Sequence, residues 1–267
     1  MVRLPVSGIA VALRAPDGTD DILLQEAWGH PVEVALALLA RLADAGNQPR
    51  ANAPDAEALT ATDVWSGLSV TDFEFLLLSL RAARFGQHLA LGFGCPECGA
   101  RVEVGFRVAD YLASVRPRPV AGVVPDPARI GWFLLSGAGF RLPTAGDQAA
   151  VATVANPARY LEERCLDPMA RHPPLWGRVL RAMAAMAPEV SRPIAGSCPD
   201  CAAAVQAPLH VTRVVVSELR RAAGAVHDDV DLIARSYHWP EAAILALPQD
   251  RRRAYAERIR RTAAQAA

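Results

Sequence analysis

The sequence predicts a mainly α-helical α+β protein made of two tandem, pseudo-symmetric repeats that are joined by a small β element. Three observations support this prediction. Several segments carry apolar residues at helical spacing, two short alternating segments each surround a C-x-x-C pair, and two motifs recur in the same order in both halves of the chain. The 267 residues suffice to bury a substantial core in one or two domains.

The overall composition is that of an ordinary globular protein. Apolar residues make up 52% of the chain, and 28 basic residues balance 28 acidic ones. No apolar run approaches the roughly 20 residues of a membrane span, and the amino terminus lacks the pattern of a secretion signal. We therefore expect a cytoplasmic protein without a membrane role. The balanced charge also argues against nucleic acid as a partner.

The amino-terminal part is predicted to contain one strand and one helix. Alternation over residues 9–13 indicates the strand, and Pro16-Asp17-Gly18 indicates a turn after it. Residues 31–42 are apolar nearly all round, which favours a buried helix. The Asn-, Pro- and Ala-rich residues 47–58 are interpreted as a loop.

A strong helix signal follows the predicted loop. Ser69 and Asp72 resemble a capping box, and Gly86 supplies the stop. Between them, apolar residues recur on one face: Phe73, Leu76, Leu77 and Leu80. This pattern predicts a helix with a clear core side.

Residues 89–108 are predicted to form a hairpin with a knuckle at its tip. Two alternating runs flank Cys95-Pro96-Glu97-Cys98, and Val102 and Val104 point to one side of the second run. The proline-rich residues 114–130 then predict an irregular linker.

Two motifs recur beyond this linker. Leu13-Arg14-x-Pro16-x-x-x-Asp20 reappears as Phe140-Arg141-x-Pro143-x-x-x-Asp147, and Cys95-Pro96-x-Cys98-x-Ala100 reappears as Cys198-Pro199-x-Cys201-x-Ala203. We interpret them as an internal duplication in which each half contains a strand, helices, a knuckle, a strand and a helix. Chance similarity between two turn-rich segments is the alternative.

The carboxyl-terminal part is predicted to be helical. Apolar residues from Val215 to Ile233 step by three or four, which predicts one long amphipathic helix. A short helix from Pro240 and a very basic one from Pro248 should follow as a hairpin. The resulting organisation is a first repeat (1–113), a linker (114–130), a second repeat (131–235) and a helical hairpin (236–267).

The four paired cysteines are the strongest candidate site. A C-x-x-C turn supplies two thiolates, so Cys95, Cys98, Cys198 and Cys201 together can fill the tetrahedral sphere of Zn²⁺ and exclude water or substrate. We therefore predict a structural zinc site that clamps the two repeats through a zinc-ribbon-like element. Unmetallated turns and a redox C-x-x-C pair are the alternatives, and no βαβ pattern supports the latter.

No residue pattern predicts catalysis. Cys165 is interpreted as a small buried hydrophobic residue, and His227 with Asp231 as a surface pair on a helix. The adjacent Glu162 and Glu163 suit a solvated face, and the sequence contains no nucleotide-binding, hydrolase-elbow or zinc-protease motif. We therefore expect a protein that is not an enzyme.

The carboxyl-terminal hairpin carries the candidate partner-binding residues. They combine aromatic and basic side chains: Tyr237, His238, Trp239, Arg251, Arg252, Arg253 and Tyr255. The basic helix has three interpretations: a solvated helical face, a docking site for a protein or, third, nucleic-acid binding by a zinc-ribbon protein.

Several of these motifs resemble those of the T-even-type baseplate hub assembly chaperones of contractile-tailed phages and related contractile injection systems. The similar stretches extend from about residue 63 to residue 259. They are Asp72 through Leu80 with Arg81 and Phe85-Gly86, the first C-P-x-C, Phe140-Arg141-Leu142-Pro143-Thr144 with Asp147, Arg164-Cys165-Leu166, Glu218-Leu219, Tyr237-His238-Trp239, and Arg251-Arg252-Arg253 with Tyr255. Ala202 after Cys201 departs from the family pattern.

The resemblance implies a non-enzymatic assembly chaperone that binds baseplate hub or tail-tube proteins and no small-molecule substrate. A permanent structural baseplate subunit is the alternative in the same setting. A zinc-ribbon nucleic-acid-binding protein is the alternative from another class.

Overall fold

The computed structural model describes residues 1–45 and 61–266. The loop predicted over residues 47–58 lies outside these residues. The predicted fold class is confirmed, because helices dominate and the strands form small antiparallel sheets.

The helices of the described part range from one turn to five turns. In chain order they are α1 (Gly18–Glu26), α2 (Pro31–Leu42), α3 (Ala61–Ser66), α4 (Val70–Phe85), α5 (Val108–Ser114), α6 (Ala145–Ala150), α7 (Pro157–Cys165), α8 (Pro173–Met186), α9 (Val211–Ala223), α10 (Val226–Tyr237), α11 (Glu241–Leu245) and α12 (Gln249–Ala266).

The strands pair only with antiparallel neighbours. In chain order they are β1 (Val2–Arg3), β2 (Ala10–Leu13), β3 (Ala43–Asp44), β4 (His88–Gly94), β5 (Arg101–Arg107), β6 (Val123–Pro125), β7 (Trp132–Leu135), β8 (Ala138–Arg141), β9 (Ile194–Ser197) and β10 (Ala204–Ala207). They form the sheets β1-β2-β3 and β6-β7-β8 and the hairpins β4-β5 and β9-β10.

The strand predicted over residues 9–13 is present as β2, but the turn predicted at Pro16-Asp17-Gly18 is the start of α1. The Asp17 carboxylate accepts hydrogen bonds from the amides of Thr19 and Asp20, and the Asp20 carboxylate accepts one from the amide of Asp17. This capping box satisfies amides that the first helical turn leaves free, so the chain continues into a helix.

The predicted buried helix over residues 31–42 is α2, and the helix predicted between Ser69 and Gly86 is α4. Ser69 caps α4 by accepting the amide of Asp72. The Asp72 carboxylate does not complete the predicted capping box. It accepts the amides of Val6 and Ser7, both at 2.8 Å, and thereby fastens the β1–β2 turn to α4.

The proline-rich segment contains regular structure that the sequence prediction missed. Residues Val123–Pro125 form β6, which pairs with β7. Pro125 is tolerated because β6 is an edge strand, where a missing amide donor removes no ladder hydrogen bond.

The single long helix predicted from Val215 to Ile233 is wrong: the chain forms α9 and α10, with a turn at Gly224 and Ala225. Glycine weakens a helix at this point, and the turn redirects the chain between two packing surfaces. Helix α9 packs on α1, α2 and α4, whereas α10 packs on α11 and α12.

In the part of the chain that the structure describes, the buried apolar residues form three clusters. The largest is built around α2 and α4 and also contains the two hairpins and α9. The second lies between the β6-β7-β8 sheet, α7 and α8. The third joins α10, α11 and α12 around Ile233, Ile244 and Ala256. Strands β9 and β10 and helix α9, which follow the predicted linker, pack in the same core as α2 and α4.

Two isolated β-bridges each join one copy of the recurring motif to the start of a helix that is distant in the sequence, and the bridges are reciprocal. Ser69, before α4, pairs with Thr144, which caps α6, and Pro248, before α12, pairs with Asp17, which caps α1. The helix pair α3–α4 therefore contacts the second copy of the recurring motif, and α11–α12 contacts the first.

Candidate metal centre

The two C-x-x-C segments form turns of the same geometry at the tips of β4-β5 and β9-β10. In the first turn, the Cys95 amide donates to the carbonyl of Ala100 and the Gly99 amide donates to the carbonyl of Cys95. In the second turn, the Cys198 amide donates to Ala203 and the Ala202 amide donates to Cys198. The predicted recurrence of the knuckle is thus matched by equal backbone hydrogen bonding.

Each knuckle contains one residue in the left-handed region of backbone space. Gly99 occupies it with a φ of 74° and Ala202 with a φ of 59°. Glycine adopts this conformation without penalty, whereas the Cβ atom of alanine makes it unfavourable. The departure noted at Ala202 therefore places an alanine where the turn favours glycine.

The two hairpins lie against each other at the base of the knuckles. A side chain at Gly196 in β9 would meet Cγ2 of Val104 in β5 at 2.7 Å, a distance that carbon atoms do not tolerate. The absence of a side chain at Gly196 thus permits the close approach of the hairpins, which brings their tips together.

The four cysteine sulfurs form one compact cluster. The Sγ atoms of Cys95 and Cys201 lie 3.8 Å apart, those of Cys98 and Cys198 lie 3.7 Å apart, and all four atoms lie within 4.8 Å of one another. Zinc–sulfur bonds of about 2.3 Å in a tetrahedron require sulfur–sulfur distances of about 3.8 Å. The arrangement is compatible with a metal site, and each short contact joins one knuckle to the other.

The cluster has an inner and an outer side. Cys95 and Cys198, the first cysteine of each knuckle, are buried, whereas Cys98 and Cys201 are exposed. The inner pair belongs to the main hydrophobic core together with Val102 and Val205. A metal held here would be anchored in the core on one side and would border solvent on the other.

The electrostatics of the cluster favour a bound cation. The amides of Cys201 and Asp200 lower the pKa of the Cys198 thiol to about 7. The Ala100 amide also lowers the pKa of Cys98, but the hydrogen bonds among the thiols outweigh it and raise that pKa to about 12. The Cys198 thiolate therefore forms readily, whereas the thiol hydrogen bonds oppose ionisation of Cys98, and a cation among the sulfurs would favour the thiolate form.

The structure contains a second set of charged groups that sequence reasoning did not identify as a site. Arg141 binds Asp147 through both terminal nitrogens, at 2.6 and 2.9 Å, and its Nε donates to the carbonyl of Arg164 at 2.9 Å. The Nε of Arg164 in turn donates to Asp147 at 2.9 Å. Although burial raises the pKa of Asp147, the hydrogen bond from Arg141 and further donors hold it at about 2.

The first copy of the motif builds the same arrangement. Arg14 binds Asp20 at 2.6 and 2.9 Å, and its Nε donates to the carbonyl of Arg41 at 3.1 Å. The Nε of Arg41 donates to Asp20 at 2.8 Å. The sequence motif contains the first arginine and the aspartate, but the second arginine lies at a different spacing in each half, so pattern comparison alone did not find it.

The other residues considered for catalysis have structural contacts. Cys165 is buried with its Sγ 4.0 Å from Asp147 Oδ2, and burial raises its pKa to about 11, which makes it a poor nucleophile. The sequence suggested that Asp231 pairs with His227, but the Asp231 carboxylate forms an ion pair with Arg235 at 2.9 Å. Glu163 pairs with Arg159 on the surface.

The aromatic members of the predicted partner surface lie together. The rings of Tyr237, Trp239 and Tyr255 contact one another with centroids 5.2 to 5.7 Å apart. His238 is exposed and, with a φ of 55°, ends α10 in the left-handed conformation. The guanidinium of exposed Arg251 lies over the Tyr255 ring at 6.0 Å.

The two arginines after Arg251 face the body of the protein. Arg252 is only 1% exposed and donates to the Asp21 carboxylate, and Arg253 donates to the carbonyl of Ala222. Arg252 is therefore inaccessible to a partner in this conformation. Neighbouring residues of a helix point in different directions, so three consecutive arginines can differ in exposure. The sequence alone does not show which of them is buried.

Comparisons with known proteins give no relative. No family model, no curated protein and no solved structure matches this chain.

Among the described residues, no helix combines the length and apolar character that crossing a membrane requires.

Proposed function

We propose that this protein is a non-enzymatic assembly chaperone for the baseplate hub of a contractile phage tail or contractile injection system, stabilised by a structural Zn²⁺. The observation that carries the proposal is the four-sulfur cluster of Cys95, Cys98, Cys198 and Cys201, whose members come from two distant knuckles. The proposal also depends on the motif resemblance to the hub chaperones.

Zinc is the metal that fits this donor set best. Four thiolates at tetrahedral spacing suit Zn²⁺ or an iron–sulfur centre, and paired knuckles are typical of structural zinc sites. Because the protein supplies all four ligands, a bound ion would have no open position for water or substrate. This supports a structural role for the ion and an adaptor role for the protein.

The ion would act as a clamp between two halves of related structure. The equal knuckles, the equal arginine–aspartate–arginine networks and the reciprocal bridges support the internal duplication proposed from the sequence. In this arrangement the metal adds a zinc-ribbon-like link, so that the two halves form one rigid unit. A rigid adaptor suits a factor that holds another protein in a defined orientation.

The chaperone proposal is tested by co-expression with the products of the genes adjacent to its own. We expect the protein to co-purify with a hub or tail-tube protein and to be absent or scarce in purified assembled particles. Mass spectrometry of the particles separates the two roles, since a permanent baseplate subunit would remain at a fixed stoichiometry. Failure to associate with any tail protein would contradict both.

A further inference from the structure

Helix α12 turns one side toward the body of the protein and the other toward solvent. Positions i, i+4, i+7 and i+11 on the outer side hold Arg251, Tyr255, Arg258 and Thr262, which we call the basic stripe. Arg251, Arg258 and Thr262 are exposed and Tyr255 is half-buried. Tyr255 therefore lies at the border between the stripe and the third core.

The arginines of the basic stripe differ in their partners from Arg252 and Arg260 on the same helix. Arg252 and Arg260 bind the carboxylates of Asp21 and Asp229. The guanidinium groups of Arg251 and Arg258 have no carboxylate partner among the described residues, although the chain as a whole is neutral. The stripe thus carries uncompensated positive charge, while Glu257 points about 120° away from Arg251.

An apolar edge borders this charge. Tyr255 is in contact with Tyr237 and Trp239, and Tyr237 is 37% exposed. Clustered aromatic side chains beside arginine are the composition that protein interfaces favour at their centres. The stripe and this edge together offer a place for one apolar side chain flanked by negative charge.

Comparison with the corresponding face of α4 shows that side chains of α12 are less completely covered by other elements. The β-bridges place Pro248 before α12 as Ser69 lies before α4. Counting from these residues, Tyr255 and Ile259 take the places of Leu76 and Leu80, which are 0% and 2% exposed in α4. The half-buried side chains of α12 therefore occupy positions that other elements cover in the related helix.

We propose that the basic stripe and the adjoining aromatic edge bind an acidic segment of a protein partner that carries an apolar anchor side chain. This inference deepens the proposed function by naming the chemistry of the partner, and it rests on that function only for the identity of the partner. Charge complementarity to Arg251 and Arg258 selects the acidic character, and Tyr237 and Tyr255 provide the contact for the anchor.

A nucleic acid fits this surface less well. Trp239 stacks on Tyr237 with ring planes 29° apart, and Arg251 and both neighbouring rings engage Tyr255. Stacking thus uses one face of Tyr237 and one of Trp239, and Arg251 lies over Tyr255, so the rings do not form an open platform for successive bases. A single apolar side chain needs only the exposed part of Tyr237.

The test uses the full chain and a fluorescent synthetic peptide of Asp and Glu residues with single Leu and Phe anchors, followed by fluorescence anisotropy. The variant R251E/R258E reverses both charges of the stripe on the solvent side, and thermal unfolding checks that the variant is folded. The control is R213E, which reverses one exposed arginine away from the stripe, on α9. Single-stranded DNA of similar charge is measured in parallel.

We expect the peptide to bind the unaltered protein and R213E alike, and R251E/R258E roughly tenfold more weakly. A peptide with Lys in place of Asp and Glu should prefer R251E/R258E. Absence of peptide binding, equal binding by R251E/R258E, or stripe-dependent binding of DNA in preference to the peptide would overturn the inference. If the peptide binds but no tail protein associates in the co-expression test, the chaperone proposal fails and the acidic-segment inference stands.

Discussion

Arg141 holds Asp147 with both terminal guanidinium nitrogens, and the Asp147 carboxylate is almost completely removed from water. Arg164 binds the same carboxylate from the end of α7, so that Asp147 connects β8, α6 and α7. An aspartate in this position stabilises the fold only while it is ionised and fully hydrogen-bonded.

Replacing Asp147 with Asn should therefore destabilise the protein strongly. The change leaves two arginines without their carboxylate, and breaking a buried ion pair costs about 3 kcal/mol or more. Asp250→Asn is the matched control, since Asp250 is exposed and its ion pair with Arg84 is worth at most about 1 kcal/mol. Chemical denaturation measures both free energies of unfolding, and equal effects would contradict a central role for Asp147.

The low pKa of Asp147 also predicts a pH dependence of stability. Its folded pKa of about 2 lies below the ordinary value of 3.8, so its contribution is present above about pH 4 and is lost as the pH falls toward 2. The shift corresponds to about 2 kcal/mol. Denaturation curves between pH 2 and 5 should show this loss in the unaltered protein and a smaller one in Asp147→Asn. Parallel curves for the two proteins would refute the assignment.

Removal of one cysteine of the cluster should abolish tight metal binding. Cys98→Ser and Cys201→Ser leave an incomplete coordination sphere, and we expect metal-free, poorly soluble protein because the ion contributes to folding. Cys165→Ser is the control, since Cys165 lies outside the cluster. Elemental analysis of purified protein measures zinc per chain. Full occupancy and normal solubility in Cys98→Ser would contradict a four-thiolate site.

The second knuckle should become more stable when Ala202 is changed to Gly. Alanine pays about 1 kcal/mol for its left-handed backbone, which glycine does not. The reverse change in the first knuckle, Gly99→Ala, should cost a similar amount. Thermal unfolding of the metal-loaded proteins should thus shift in opposite directions. A loss of stability in Ala202→Gly would show that its methyl group makes a contact of greater value.

The sequence predicted α2 and α4 well because each depends on local signals. Pro31 and Ser69 mark the starts, and apolar spacing marks the buried sides. The knuckles were predictable for a similar reason, since four thiols in two short motifs have few alternative roles. Their closeness in space was an inference from metal chemistry, and the sulfur distances agree with it.

The remaining errors arose where tertiary contacts decide the structure. The apolar spacing continues across the break between α9 and α10, because residues on both sides face a core, but the two cores are different. The burial of Arg252 depends on Asp21, which lies far away in the sequence. No local pattern reports such a partner, so Arg252 was grouped with Arg251 and Arg253 as a candidate partner-binding residue.

The reciprocal bridges have a consequence for synthesis of the protein. Asp17 finds Pro248, and Asp21 finds Arg252, only after the ribosome has released the segment that contains α12. Until then, α1 can pack on α2 and α9, but the carboxylate of Asp21 lacks its counter-charge. The contacts of α1 are therefore complete only when the segment that contains α12 has been made, and a product truncated before that segment would leave the Asp21 carboxylate buried without its counter-charge.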